Sequence, residues 1–325
     1  MVETVIIADS KGKNYAFARK IYEYLLEIER RDFPVKLTDV EKVDFKDTEF
    51  KLLIKDNIRR RKCFFIHDSN KAPCQWYTEL NFVLEAMTFS DPAEITAILP
   101  YTRFARQERK DESRVSVNAK ALANMVSTYA TRGMTVDLHN PAMQSYFNRP
   151  FDNLYSFPAL IEHFQKNHPS LLEDLVVISP DVGGGKRAEA LVKRLAKKGI
   201  SAELAFAHKS RKNDNEVGKM LILGDVKDKN CLVLDDIIDT GGTIVKAGDA
   251  LKEKGAKRLY AYGAHGLFTA GTGMFSVYDK VFTSDTIYHE PSDKIEVVSL
   301  VPLFGEAIYR TVIGESLSVL FHDKD

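Results

Sequence analysis

From Cys231 to Thr243 the chain reads Cys-Leu-Val-Leu-Asp-Asp-Ile-Ile-Asp-Thr-Gly-Gly-Thr, an apolar run that meets three carboxylates and then a Gly-Gly-Thr turn. A short branched apolar run that ends on turn residues reads as a buried strand, and the residues from about Thr243 read as a helix. A strand feeding a helix in this way belongs to an α/β protein with a mainly parallel sheet. The glycines let the backbone turn with its amides outward. The helix start then aims free N–H groups and its positive dipole end at an anion. Thr240 and Thr243 add hydroxyl donors, whereas Asp235 and Asp236 repel phosphate and suit sugar hydroxyls or a magnesium ion. The plainer reading is a junction in which Asp239 only caps the helix. Acids, glycines and threonines in one register favour a site for a phosphorylated sugar.

The same strand-loop-helix rhythm recurs along the chain. In the second half, Leu175 to Pro180 reads as a strand, Asp181 to Gly185 as a glycine-rich loop, Lys186 to Lys197 as a helix and Ala202 to Ala207 as the next strand. In the first half, Cys63 to His67, Glu94 to Leu99 and Met134 to Leu138 read as strands, with a helix over Pro73 to Met87. Two similar halves predict two similar α/β domains, each with a mainly parallel sheet flanked by helices. The boundary is placed near Asn153 to Pro158, giving domains 1–156 and 157–314. The stretch Phe304 to Phe321 reads as a helix and then a short strand, with residues 315–325 expected to pack on the first domain.

A chain of 325 residues has room for two such cores. Lysines plus arginines equal aspartates plus glutamates, 46 of each, so no overall field favours nucleic acid or a membrane surface. Cys63, Cys74 and Cys231 lie in or beside apolar segments without metal-ligand spacing, which predicts reduced, buried thiols and no zinc site. The apolar run at the start is too short for a signal peptide, and no stretch approaches a membrane span. A soluble, cytoplasmic protein is expected.

Three further constellations carry chemistry. Ser179-Pro-Asp-Val-Gly-Gly-Gly-Lys-Arg187 is a second strand-to-helix turn of bare backbone, with a carboxylate at its mouth and two cations at the helix start. It suits a pyrophosphate carrying magnesium: amides and Lys186 or Arg187 meet phosphoryl oxygens, and Asp181 meets the metal or its waters. His208-Lys-Ser-Arg-Lys-Asn-Asp-Asn follows a strand and reads as a solvated loop or as a lid. In the lid reading Lys209 and Arg211, two apart in extended backbone, share a face and close on a transferring phosphoryl group. In the first half, Arg106, Arg109, Lys110 and Arg114 supply cations after a strand, Gln107 and Asp111 offer groups to a base or sugar edge, and Tyr101 and Phe104 tie this loop to a wall. His139 sits at another strand end, where a hydrogen-bonded turn residue is the plainer reading than a ligand.

Together these segments resemble the ribose-phosphate pyrophosphokinase (phosphoribosyl pyrophosphate, PRPP, synthetase) family over about Val5 to Phe321. The resemblance rests on Ala105 to Arg114, Val136-Asp-Leu-His139, Ser179 to Gly184, His208 to Lys212 and Asp235 to Thr243, in order and at the family's spacing. The Asp235 to Thr243 motif alone is shared with phosphoribosyltransferases. The weakest match is the opening, Asp9-Ser-Lys-Gly-Lys-Asn14. The resemblance implies transfer of the pyrophosphoryl group of Mg-ATP to the anomeric hydroxyl of ribose 5-phosphate, giving PRPP and AMP for nucleotide synthesis. It assigns the 5-phosphate to Asp239, Thr240, Gly241, Gly242 and Thr243, the ribose hydroxyls to Asp235 and Asp236, and the pyrophosphoryl group with Mg2+ to Asp181, Val182, Gly183 and Gly184. His139 and Asp181 fall at the metal–ATP site, and Arg106, Gln107 and Asp111 become ATP contacts. Lys209 and Arg211 become catalytic. Phe45, Asp47 and Glu49 resemble an adenine-binding hairpin that serves a neighbouring subunit, so a homo-oligomer with a shared ATP site is implied. One departure stands out: Pro141 occupies a place where many members carry a serine that helps bind inhibitory ADP or activating phosphate. A phosphoribosyltransferase and a non-catalytic regulatory relative are the alternatives.

Overall fold

A computed structural model of the chain describes residues 2–28, 34–181, 183–209 and 220–320. The chain divides into two compact units. The first comprises Met1–Tyr155, Thr286–Tyr288 and Leu300–Asp325, the second Ser156–Asp285 and His289–Ser299.

In the first unit the order is β1 (Thr4–Ala8), α1 (Tyr15–Glu27), β2 (Val35–Asp44), β3 (Phe50–Ile54), β4 (Lys62–Ile66), α2 (Pro73–Phe89), β5 (Glu94–Ile98), α3 (Asn118–Tyr129), β6 (Arg132–Val136) and β7 (Phe151–Leu154). The sheet runs β3-β2-β1-β4-β5-β6-β7. Only the β2–β3 hairpin is antiparallel. Strand β1 is buried along its whole length, as an unbroken apolar run covered on both faces must be. Trp76, Leu80 and Leu84 of α2 and Leu122 of α3 close one face over Val5, Ile7 and Phe65.

The second unit runs α4 (Phe157–Asn167), β8 (Leu175–Ser179), α5 (Gly185–Lys197), β9 (Ala202–Lys209), β10 (Met220–Leu223), β11 (Asn230–Ile238), α6 (Gly242–Glu253), β12 (Arg258–Gly266), β13 (Lys280–Ser284) and β14 (Ile295–Val298). Its sheet order, β10-β9-β8-β11-β12-β13-β14, repeats that of the first, again with one antiparallel edge hairpin. Helices α4 and α5 cover one face through Leu160, Phe164, Leu191 and Leu195, and α6 covers the other through Ile244, Ala247 and Leu251.

The helix read at the tail is α7 (Val301–Ile313), and it packs on α1. A Cβ at Gly305 would lie 2.3 Å from the Tyr24 ring, so the two helices approach closely there. Phe17 meets Phe304 edge to face at 5.5 Å. Helix α7 is thus grouped with the first unit, and the second unit ends at Ser299 instead of running to residue 314. The expected short strand after it is absent among the described residues: Ser318–Leu320 form a 3-10 turn. Cys63 and Cys231 are buried free thiols, pushed up to about 12 by burial, but Cys74 at the start of α2 is exposed. No described helix is long and apolar enough to cross a membrane.

Candidate active site

Strand β11 is longer than the sequence suggested. It stays paired with β12 through Ile238, whereas its pairing with β8 stops at Val233. Asp235 and Asp236 therefore stand beyond the last β8 partner while still held by β12. The Asp239 carboxylate accepts from the Thr269 hydroxyl at 2.7 Å. Gly241 precedes the helix with φ 77, and a Cβ there would lie 2.5 Å from the Phe275 ring. It is this glycine, not Gly242, that carries the left-handed turn. Gly242 opens α6 with its nearest neighbour, Thr240 Oγ1, 4.0 Å from a notional Cβ. Thr240 and Thr243 are exposed, and the residue at the N-cap of α6 is Gly241, which has no side chain to offer the first amides of the helix.

The second loop joins β8 to α5. Asp181 is exposed, and its Oδ1 accepts the Gly184 amide at 2.7 Å. The Ser179 hydroxyl donates to the Asp181 carbonyl at 2.7 Å and would lie 2.9 Å from a Cβ at Gly184. Gly184 is thus required by crowding. Arg187 of α5 crosses to β11: its Nη1 donates to Asp236 Oδ1 at 2.9 Å and stands 3.6 Å from Asp235. The sequence reading aimed Arg187 at phosphoryl oxygens; here it holds the carboxylate pair. The Asp236 amide donates to Asp235 Oδ1 at 2.8 Å. Burial, and then Asp236, push the Asp235 carboxyl well above the usual carboxylate range, with Arg187 opposing.

In the first unit, β5 and β6 are neighbours, so the loops that follow them leave the same sheet edge. The Thr102 and Thr135 hydroxyls meet at 2.8 Å. Phe104 packs on Trp76 and Tyr77, anchoring the charged loop as its aromatics suggested. Gln107 donates to Asp111 at 3.1 Å, and Arg106 is exposed. His139 is exposed and follows Asp137, which has φ 43. Just beyond it, Tyr146 donates to the Glu108 carbonyl at 2.6 Å, which brings the His139 segment to the Arg106–Asp111 loop. Phe45, Asp47 and Glu49 lie elsewhere. Val40–Asp44 pair with β3 alone, so the hairpin runs about 16 Å past the last β1 partner. Its turn is closed by Phe45 N–H donating to the Glu49 carbonyl at 2.7 Å, and all three side chains are exposed.

Lys209 ends β9 opposite Met220. Arg211 and Val182 lie outside the described residues. The sequence reading missed Thr269 and Phe275, which shape the β11–α6 loop. Both follow β12, the strand beside β11, and only that adjacency identifies them.

Comparison with known proteins agrees with this arrangement. A family model for the N-terminal domain of ribose phosphate pyrophosphokinase matches residues 6–129, and one for the phosphoribosyl transferase domain matches residues 151–295. The chain is 39% identical to the ribose-phosphate pyrophosphokinase of Chlorobaculum tepidum, covering 100% of this chain and 97% of the relative. It is 37% identical to that of Thermotoga maritima, over 96% of each. The crystal structure of phosphoribosylpyrophosphate synthetase from Mycobacterium smegmatis superposes with a TM-score of 0.83 at 27% identity, covering 96% of this chain and 99% of that one. With two matching domains in one order and relatives aligned along the full length, the chain belongs to the ribose-phosphate pyrophosphokinase family.

Proposed function

We propose that this ribose-phosphate diphosphokinase transfers the β,γ-pyrophosphoryl group of Mg-ATP to the anomeric hydroxyl of ribose 5-phosphate, releasing PRPP and AMP. The observation that carries the reading is the β11–α6 loop, where the Arg187-braced pair Asp235 and Asp236 precedes the left-handed Gly241 turn into α6. In this reading the amides after Gly241, with Thr240 and Thr243, hold the 5-phosphate. Asp239 shapes the same loop through Thr269. Asp235 and Asp236 accept from the ribose hydroxyls and fix the sugar's orientation.

The β8–α5 loop, from Asp181 through Val182, Gly183 and Gly184, receives the pyrophosphoryl group. Asp181 offers the oxygen donor that magnesium takes, while the His139 imidazole is the wrong donor for direct contact and suits a metal-bound water or the nucleotide. When bound, Mg2+ neutralises phosphoryl charge and polarises the transferring group. Arg106, Gln107 and Asp111 hold ATP, and Lys209 and Arg211 stabilise developing charge during transfer. The anomeric oxygen bonds to the β-phosphorus as the bond to the AMP oxygen breaks. Phe45, Asp47 and Glu49, on a hairpin that runs past its own sheet, serve a neighbouring copy's adenine, so a homo-oligomer in the cytoplasm is the working form.

AMP release from ATP and ribose 5-phosphate tests the proposal. A phosphoribosyltransferase or a non-catalytic relative gives none, and the absence of AMP with a folded protein overturns the reading.

A further inference from the structure

Far along the same sheet, two histidines and a glutamate converge where nothing in the proposed reaction needs them. His163 is on the last turn of α4, His168 directly follows that helix, and Glu296 is on the edge strand β14. Residues five apart would diverge on a continuous helix. Helix α4 ends at Asn167, and His168, with φ −137 and ψ 51, swings its ring back beside His163. Both Nε2 atoms lie 2.7 Å from one oxygen, Glu296 Oε1. Phe282 forms an apolar floor, meeting His163 at 6.1 Å and His168 at 5.2 Å, each edge to face. All three polar side chains are half-buried. Glu296 pairs with Phe282, which is level with Tyr262 and Leu234, so the cluster is three strand spacings, about 14 Å, from Leu234 of β11.

We propose that His163, His168 and Glu296 form a binding site for one divalent transition-metal ion of the zinc class, separate from the magnesium chemistry of the substrates. Two imidazole nitrogens and one carboxylate oxygen are a donor set that zinc, cobalt and nickel take and that magnesium does not. The three donor atoms already lie within 4.8 Å of one another. An ion about 2.1 Å from each needs them near 3.4 Å apart, which small side-chain rotations supply. The second shell is in place as well. Asn167 lies 3.1 Å from His163 Nδ1. With a metal on Nε2 the imidazole proton resides on Nδ1, and the Asn167 amide, turned end for end, accepts it. Three protein ligands leave a fourth position for water. The ion joins the end of α4 to the sheet edge, and Lys280, 4.0 Å from the other Glu296 oxygen, keeps its affinity moderate.

The test uses the full-length chain in magnesium-free buffer with Zn2+ or Co2+ alone as probe. Calorimetry is run on the wild type and on His163→Asn, His168→Asn and Glu296→Gln, each checked by circular dichroism. The expected result is one zinc equivalent per chain in the wild type, lost or weakened at least about tenfold in each variant, and weakened about tenfold in Asn167→Ala. With Co2+, the wild type is expected to show the strong visible absorption of a four-coordinate nitrogen–oxygen site. That spectrum decides the matter without any variant, should one fail to fold. Equal binding in wild type and folded variants, no binding, or only the weak spectrum of six-coordinate Co2+ overturns the proposal and leaves a carboxylate hydrogen-bonded by two imidazoles.

Discussion

Arg187 reaches from the first turn of α5 to Asp236 on β11, closing a 2.9 Å charge-assisted hydrogen bond across 49 residues of sequence. The Asp236 side chain is 3% exposed, so its charge is costly without a cation nearby. Arg187→Met keeps an apolar stem but removes the guanidinium. We expect a loss of about 3 kcal/mol in urea unfolding and weaker ribose 5-phosphate binding. Asp236→Asn in the same chain should restore much of the stability and none of the binding. A single variant within about 0.5 kcal/mol of wild type would remove the pair from the account of this site.

Asp235 gives the apo protein a pH dependence. Its carboxyl is raised from an ordinary value near 3.8 to about 8, first by burial and then by Asp236. Between those values the folded chain keeps a proton that the unfolded chain has lost, so stability falls as pH rises through the window and is flat below it. Thermal midpoints of wild type and Asp235→Asn, compared from pH 5 to pH 8.5 as rough limits set by that linkage, should separate as pH rises, the non-titrating variant becoming the more stable. A constant difference across the range would contradict the raised value.

The strand-turn-helix units around Asp181 and Asp235 were legible because buried strands are apolar runs and glycines punctuate them. What the sequence left open depends on side chains brought from far along the chain. The left-handed backbone expected at Gly242 falls on Gly241, which packs against Phe275, and the partner of Asp239 is Thr269. Arg187 reads equally well as a phosphate cation until β11 is seen beside α5. His163 and Glu296 are separated by 133 residues, beyond any local pattern. Among the described residues no strand follows α7: Ser316 and Ser318 bond each other at 2.7 Å in a local turn, and Ser318–Leu320 form a 3-10 helix.

The two glycines should respond differently. Gly241→Ala places a Cβ at positive φ and against Phe275, and an expected cost of about 2 kcal/mol in unfolding follows. Gly242→Ala meets nothing closer than 4.0 Å and should fold normally, its loss confined to ribose 5-phosphate affinity. Calorimetry with the sugar phosphate and melting curves separate the effects. Equal destabilisation by both would refute the assignment of the turn to Gly241.

We propose that Lys209, the last residue of β9, and Arg211, two places further on in the sequence, act on the transferring phosphoryl group. Replacing either with Ala should lower turnover by on the order of 10² to 10³, the scale of one donor aimed at developing charge, with a smaller change in ribose 5-phosphate affinity. Near-normal turnover in both variants would exclude them from the chemistry.

The last prediction concerns Pro141, where the family resemblance implies a serine at a phosphate- or ADP-binding position. Pro141 opens a 3-10 turn over Pro141–Tyr146, a place where a missing N–H costs nothing to the fold. The next amide, that of Ala142, is taken by Asn140 Oδ1 at 3.0 Å, and that of Met143 by the Asn140 carbonyl at 3.0 Å. The start of this turn therefore satisfies its own donors and presents none to an anion. Gln144 is also engaged: its Nε2 donates to the Pro141 carbonyl and its Oε1 accepts the Asn153 amide. Initial rates should show little or no activation by free phosphate, and ADP should inhibit mainly by competing with ATP. Pro141→Ser adds a hydroxyl and an N–H at the same place and should introduce phosphate activation. Strong activation in the wild type, or ADP inhibition that saturating ATP cannot relieve, would show that an anion is bound there by groups other than this turn.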